Sequence, residues 1–220
     1  MPQSYAVAGL GNAIVDVIAA VDDDFLLTHQ IAKGAMTLID EFRAAQLHGA
    51  LRAAREVAGG SVGNNMAGLA SLGARGVYAG KVKDDRLGAV FAASLADLGV
   101  HYSTARPKQG PSTASCMIAV TADGQRSMST YLGACREMTP QDVNADEIAA
   151  AKILYIEGYL WDTDGAKAAS RKAMAAAKQG GAKVSFTLSD PFCVGRFREE
   201  FLELMKSDLD IVFANENEAR

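Results

Sequence analysis

Between residues 153 and 214 the sequence alternates apolar stretches with amphipathic ones: 153–157, 183–188 and 211–214 read as strands, 164–178 and 192–205 as helices. Strands separated by helices of that length pair in parallel, because each helix carries the chain back across the sheet before the next strand begins. The chain is therefore expected to be an α/β protein with a parallel central sheet. The amino-terminal half reads more variously. Residues 5–9, 14–21, 36–39 and 76–82 have strand character, and 41–58, 61–72 and 87–98 have helical periodicity. The 41–58 helix is expected to stop at the Gly59-Gly60 pair, with Ser61 as a candidate cap for the next helix. Residues 113–121 and 126–132 alternate at period two around Asp123-Gly124, a hairpin signal, so antiparallel sheet is expected there.

Composition narrows the function classes. The 220 residues hold 22 Lys+Arg against 26 Asp+Glu, a net charge of -4, which lacks the basic excess that a phosphate backbone demands. Nucleic acid is not expected as a partner. No apolar run approaches the roughly 20 residues needed to span a bilayer, and Met1 to Tyr5 carries no basic segment of the kind that opens an export signal. No membrane partner is expected either. Cys116, Cys135 and Cys193 are odd in number, far apart and without Cys-x-x-Cys spacing, the pattern of reduced thiols in a reducing compartment. A cytoplasmic location is the expectation.

Several constellations bear on chemistry. Gly9-Leu-Gly11 follows a strand, but Ile14 stands where a dinucleotide fingerprint needs its third glycine, and a strand follows instead of a helix. No Gly-Lys-Ser/Thr occurs, so no P-loop is present. Asp16 lies between Val15 and Val17 in an apolar strand, where a carboxylate is costly to bury without donors. Either it sits at a bulge or strand end open to water, or a ligand meets it. Asn12 is on the same approach, and the two suit a polyol whose vicinal hydroxyls donate to the Asp and accept from the Asn. Gly59-Gly60-Ser-Val-Gly63-Asn64 lets main chain approach a ligand and sets Asn64 in the first turn of a helix, although a plain connection between helices reads the same way. Met128, Thr130 and Leu132 share one face of the hairpin, to close over a ligand or to pack. Asn215 and Glu218 follow a parallel strand, at the sheet end where α/β proteins bind ligands.

Taken together these residues resemble the ribokinase-like (PfkB) family of carbohydrate and nucleoside kinases. Gly59-Gly-Ser-Val-Gly-Asn64-Asn-Met-Ala-Gly-Leu-Ala-Ser-Leu-Gly73, followed by Gly80-Lys-Val-Lys-Asp-Asp85-Arg-Leu-Gly88, is similar to its first glycine-rich motif. Gly11-Asn-Ala-Ile-Val-Asp16 is similar to its substrate-binding strand, and Asn215-Glu-Asn-Glu218 to its Asn-x-x-Glu motif. Gly11-Asn-Ala-Ile-Val-Asp16, with the segment from Gly124 to Ala134 and Leu188-Ser-Asp-Pro-Phe192, most resembles the bacterial adenosine kinase branch.

The resemblance implies a three-layer ribokinase-like domain over residues 1–220 whose small β-sheet lid, drawn from about 14–21, 35–39 and 113–132, covers the substrate. It implies ATP-dependent phosphorylation of the primary hydroxyl of a nucleoside, adenosine to AMP, with a ribose or fructose kinase as the alternative. A non-catalytic binding module is the alternative from another class. By motif, Asn12, Asp16, Gly59, Gly60 and Asn64 would hold sugar hydroxyls, and Cys116, Met128, Leu132 and Tyr159 would contact the base. Asn215 and Glu218 would help place Mg2+ and the ATP phosphates. The family's catalytic base, the Asp of a Gly-Ala-Gly-Asp run, does not occur in these residues. The chain is accordingly read as truncated, inactive as a kinase on its own and less stable than a longer parent. Lid sheets in the family either pair between subunits or stand alone, so a homodimer through the lid stays open.

Overall fold

The computed structural model describes residues 4–220; Met1–Gln3, part of the stretch read for an export signal, lie outside the described residues. Two sheets organise the chain. The first contains β1 (Tyr5–Leu10), β5 (Gly76–Ala79), β6 (His101–Tyr102), β9 (Ala151–Glu157), β10 (Lys183–Thr187) and β11 (Ile211–Phe213). Every pairing in it is parallel and the order is β11-β10-β9-β1-β5-β6. α6 (Asp164–Gln179) and α7 (Pro191–Ser207) cover one face. Trp161, Phe186 and Phe201 meet edge to face there, with Leu154 and Ile156 fully buried beside them.

The second sheet contains β2 (Ile14–Ala20), β3 (Met36–Leu38), β4 (Arg55–Gly59), β7 (Ala114–Val120) and β8 (Arg126–Tyr131), in the order β3-β8-β7-β2-β4. β7 and β8 are the expected antiparallel hairpin, while β2 runs parallel to β7 and antiparallel to β4. Side chains alternate across β2 as the pleat requires: Val15 and Val17 turn to a core shared with α2 (Glu41–Ala50), α3 (Ser61–Ser71) and α4 (Arg86–Asp97), and Ile14 and Asp16 turn to the other face. Among the described residues no helix is long and apolar enough to cross a membrane.

The structure corrects the reading of residues 41–58 as one helix. α2 stops at Ala50, the chain turns with Ala53 in the left-handed region (φ 51°), and residues 55–59 form β4. Alanine, leucine and arginine favour helix locally, but five consecutive registers from Ile14↔Gly59 to Ile18↔Arg55 give this segment's backbone a partner, and tertiary pairing overrides propensity. Ser61 is likewise not a cap. Gly60 (φ 80°) takes that position without a side-chain bond, and Glu157 accepts the amide of Val62 in its place. The structure adds α1 (Asp23–Thr28) and α5 (Ala145–Ala149), too short to show a period, and ends with α8 (Glu216–Ala219).

Candidate functional site

At the carboxyl ends of β1, β9 and β10, under the open face of the five-stranded sheet, lies a cavity of about 440 Å³. This is where open parallel sheets bind ligands. Asn12 and Glu157 form its polar floor, with Ser61 from the first turn of α3. Met36, Leu38, Thr130 and Leu132 reach it from the second sheet and its exit, and Tyr159 and Phe192 from the opposite wall. Arg136 and Arg196 add positive charge, Arg196 being paired with Asp162 at 2.8 Å.

Register brings Asp16 to the same face. Leu38 pairs with Thr130, Thr130 with Cys116, and Cys116 with Asp16, so the four stand in one row across the sheet with Ile14 one row away. The Thr130 hydroxyl donates to Cys116 Sγ at 3.2 Å. Asp16 is 9% exposed, and among the described residues it makes neither a hydrogen bond nor an ion pair. Burial pushes its carboxyl up to about 6, with the Arg126 guanidinium pulling the other way at longer range. Beside it the chain has no side chain: a Cβ on Gly59 would lie 2.3 Å from Asp16 Cγ, and one on Gly60 would lie 2.5 Å from the Asn12 carbonyl oxygen. The two glycines are thus required by close approach, one to a carboxylate and one to main chain.

Glu157 is a residue that sequence reasoning missed. It ends β9, is 1% exposed, and accepts from Asn12 N–H at 2.7 Å and Val62 N–H at 3.3 Å. Burial raises its carboxyl to about 7 against those amides, which favour the charged form. A Cβ on Gly11 would lie 2.9 Å from its Oε2, so the loop after β1 wraps closely around it. The signal available was a lone acid closing the apolar run 153–157. Leu38 and Phe192 were also missed; both line the cavity and are 60% and 80% exposed.

The remaining expected residues distribute unevenly. Asn12, Leu132 and Tyr159 line the cavity; Asp16, Gly59, Gly60 and Asn64 do not, and Cys116 and Met128 stand in the same rows as the lining Thr130 and Met36. Asn64 is exposed in the first turn of α3, its amide bonded to Gly60 O at 2.9 Å. Asn215 and Glu218 stand apart, at the end of β11. Asn215 Nδ2 donates to Glu218 Oε1 at 2.6 Å, and Asn215 Oδ1 accepts the Asn217 and Glu218 amides, a reciprocal cap for α8. Each side chain is engaged in the cap, and among the described residues no group of three His, Cys, Asp or Glu side chains is placed to hold a metal. The residues present therefore do not fit a bound cation by themselves.

Comparison with known proteins agrees with this geometry. Residues 32–220 match the family described as pfkB family carbohydrate kinase. The chain is 53% identical to an adenosine kinase of Sinorhizobium meliloti whose crystal structure is known, with a TM-score of 0.87 over 98% of this chain and 66% of that one. It is 50% identical to a probable sugar kinase of Rhizobium etli, with a TM-score of 0.88 over 100% of this chain and 66% of that one. A fructokinase-2 of Solanum habrochaites is 32% identical over 130 residues, 58% of this chain and 40% of its own length. The chain thus spans about two thirds of the two solved relatives, and its matched part less than half of the plant enzyme.

Proposed function

This chain belongs to the pfkB family of carbohydrate kinases, and from that premise we propose that the whole protein is an ATP-dependent kinase that phosphorylates the primary hydroxyl of adenosine. The observation that carries the substrate half of this reading is Asp16. A largely buried carboxylate beside a glycine, without a protein partner and with its oxygens still open to solvent, is satisfied when the vicinal hydroxyls of a ribose donate to it. Asn12 and the Gly59-Gly60 main chain supply further polar contacts, with Asn64 as the residue the family motif adds. The apolar walls from Met36, Leu38, Leu132 and Phe192 suit a flat purine, with Tyr159 beside them. Cys116 and Met128 back that slot. Burial pushes the Cys116 thiol up to about 11, so it acts there as a neutral apolar group.

ATP and Mg2+ are the co-substrate and metal expected of the whole protein from its family membership. Asn215 and Glu218 bond to each other and cap α8. Phosphoryl transfer also needs a base near the attacking hydroxyl, and the Gly-Ala-Gly-Asp run that the resemblance implies is not in these residues. Homodimerisation through the five-stranded sheet, along the free edge of β3, belongs to the same proposal; light scattering of the purified protein reads it.

A sugar kinase is the second reading, favoured by the 50% identity to the Rhizobium etli protein. Isothermal titration with adenosine, ribose and fructose separates the two. A nucleoside site gains from burying the base, so adenosine is expected to bind at least about a hundredfold tighter than ribose. Equal affinities for the two, or fructose binding tighter than adenosine, would reverse the order of the readings.

A further inference from the structure

Among the described residues four chain crossings join the two sheets, and they lie along one line. Ile14, which opens β2, is paired with Gly59 at the end of β4 and with Ala114 at the start of β7, and Ser115, one residue further, is paired with Tyr131 at the end of β8. Glu157 holds the first two crossings through the amides of Asn12 and Val62. The third is held by a different acid, in the stretch from Gly80 to Gly88, which lines no part of the cavity.

Asp85 caps α4, its Oδ1 accepting the Gly88 amide at 2.8 Å. A cap needs one acceptor. The rest of the carboxylate is spent on Thr113: Oδ1 also accepts the Thr113 hydroxyl at 2.7 Å, and Oδ2 accepts the Thr113 amide at 2.9 Å. Thr113 is 1% exposed, and its Oγ1 in turn accepts from Lys83 N–H at 3.0 Å. The loop is wound tightly around these bonds, since a Cβ on Gly88 would lie 1.9 Å from the Lys83 carbonyl oxygen. Thr113 immediately precedes β7, and three residues on, Cys116 is the register partner of Asp16.

We propose that Asp85 is a positioning residue: its pairing with Thr113 sets the five-stranded sheet, and with it the Asp16 carboxylate, at the height over the cavity that substrate binding requires. This rests on the reading of Asp16 as a substrate residue. It gives the second half of the glycine-rich motif a physical task, that of anchoring the sheet instead of touching ligand.

The test uses Thr113→Val, which removes the hydroxyl at nearly constant volume, Thr113→Ser, which restores it, and Asp85→Asn, which keeps a capping oxygen but turns an amide donor toward the Thr113 N–H. Spin labels on Leu72→Cys and Ala122→Cys, both exposed and on opposite sides of the line of crossings, report the distance between the sheets by pulsed EPR; the three native cysteines are buried. Thr113→Val and Asp85→Asn are expected to shift or broaden that distance and to weaken adenosine binding about tenfold. Thr113→Ser is expected to match the parent in both. If Thr113→Val and Asp85→Asn lower only the melting temperature, leaving distance and affinity unchanged, Asp85 is a structural cap and the proposal is overturned. Should the parent protein not bind adenosine at all, the substrate reading fails, and the inter-sheet distance alone decides whether the clamp exists.

Discussion

The carboxylate of Asp16 occupies the place where a side chain on Gly59 would stand, 2.3 Å separating its Cγ from an ideal Cβ there. The two residues sit on neighbouring antiparallel strands and share one face of the sheet, so neither can change without the other. Gly59→Ala should displace the acid toward the cavity or push β4 away from β2. We predict a loss of about 1–3 kcal/mol in urea unfolding, the usual cost of overpacking, together with at least tenfold weaker adenosine binding by titration, about 1.4 kcal/mol.

Two buried carboxyls make stability depend on pH in an uncommon direction. Asp16 is raised from 3.8 to about 6 and Glu157 from 4.5 to about 7, each mainly by burial. A carboxyl whose pKa is higher folded than unfolded favours the fold fully below its unfolded value and loses that contribution as pH rises through the folded value. Unfolding free energy should therefore carry a falling component between about pH 4 and pH 7. Asp16→Asn should remove the part below about pH 6 and, at pH 8, stabilise the protein by about 2–3 kcal/mol relative to the parent. Denaturant titrations across pH 4 to 8 measure this; parallel curves for parent and variant would contradict it.

Phe192 and Leu38 both line the cavity and are largely exposed, so truncating them removes little packing. Phe192→Ala is predicted to change stability by less than about 0.5 kcal/mol. It should nevertheless weaken adenosine about tenfold while leaving ribose unaffected, because only the base reaches the apolar walls. Equal losses for both ligands would place the ring of Phe192 against the sugar.

Transfer of phosphate is predicted to be absent from the 220-residue polypeptide, which contains no Gly-Ala-Gly-Asp run. A radiometric assay with ATP and adenosine reads this directly. Turnover of about one per second or more, ordinary for kinases, would show that a base among these residues suffices.

The strand and helix order was legible wherever local pattern and tertiary pairing agree, as in the β9 to β11 alternation and the β7–β8 hairpin around Asp123-Gly124. It failed at β4, whose residues form a helix by propensity and a strand only because β2 lies beside them. Asp16 was legible as an acid in an apolar strand, but whether it was buried or at a strand end open to water was decided only by the structure, where it is 9% exposed. Glu157 was not, since acids at strand ends are commonly exposed, and nothing local says that the Asn12 and Val62 amides converge on this one. Phe192 and Leu38 gave no signal, exposed apolar residues being frequent on any surface. The Asn215–Glu218 pair was legible as a motif, yet an Asn-x-x-Glu spacing encodes a helix cap as readily as a ligand site, and a cap is what the structure contains.

The central claim is that Asp16, ionised, accepts the hydroxyls of a ribose-bearing substrate. Isothermal titration of adenosine into the parent protein and into Asp16→Asn at pH 8, where the acid is charged and the variant is at least as stable as the parent, tests it with the fewest intermediaries. The account predicts one-to-one binding to the parent, weakening below about pH 6 as Asp16 takes up a proton, and a loss of at least about tenfold in the variant at pH 8. Equal affinity for parent and variant at pH 8 would contradict it.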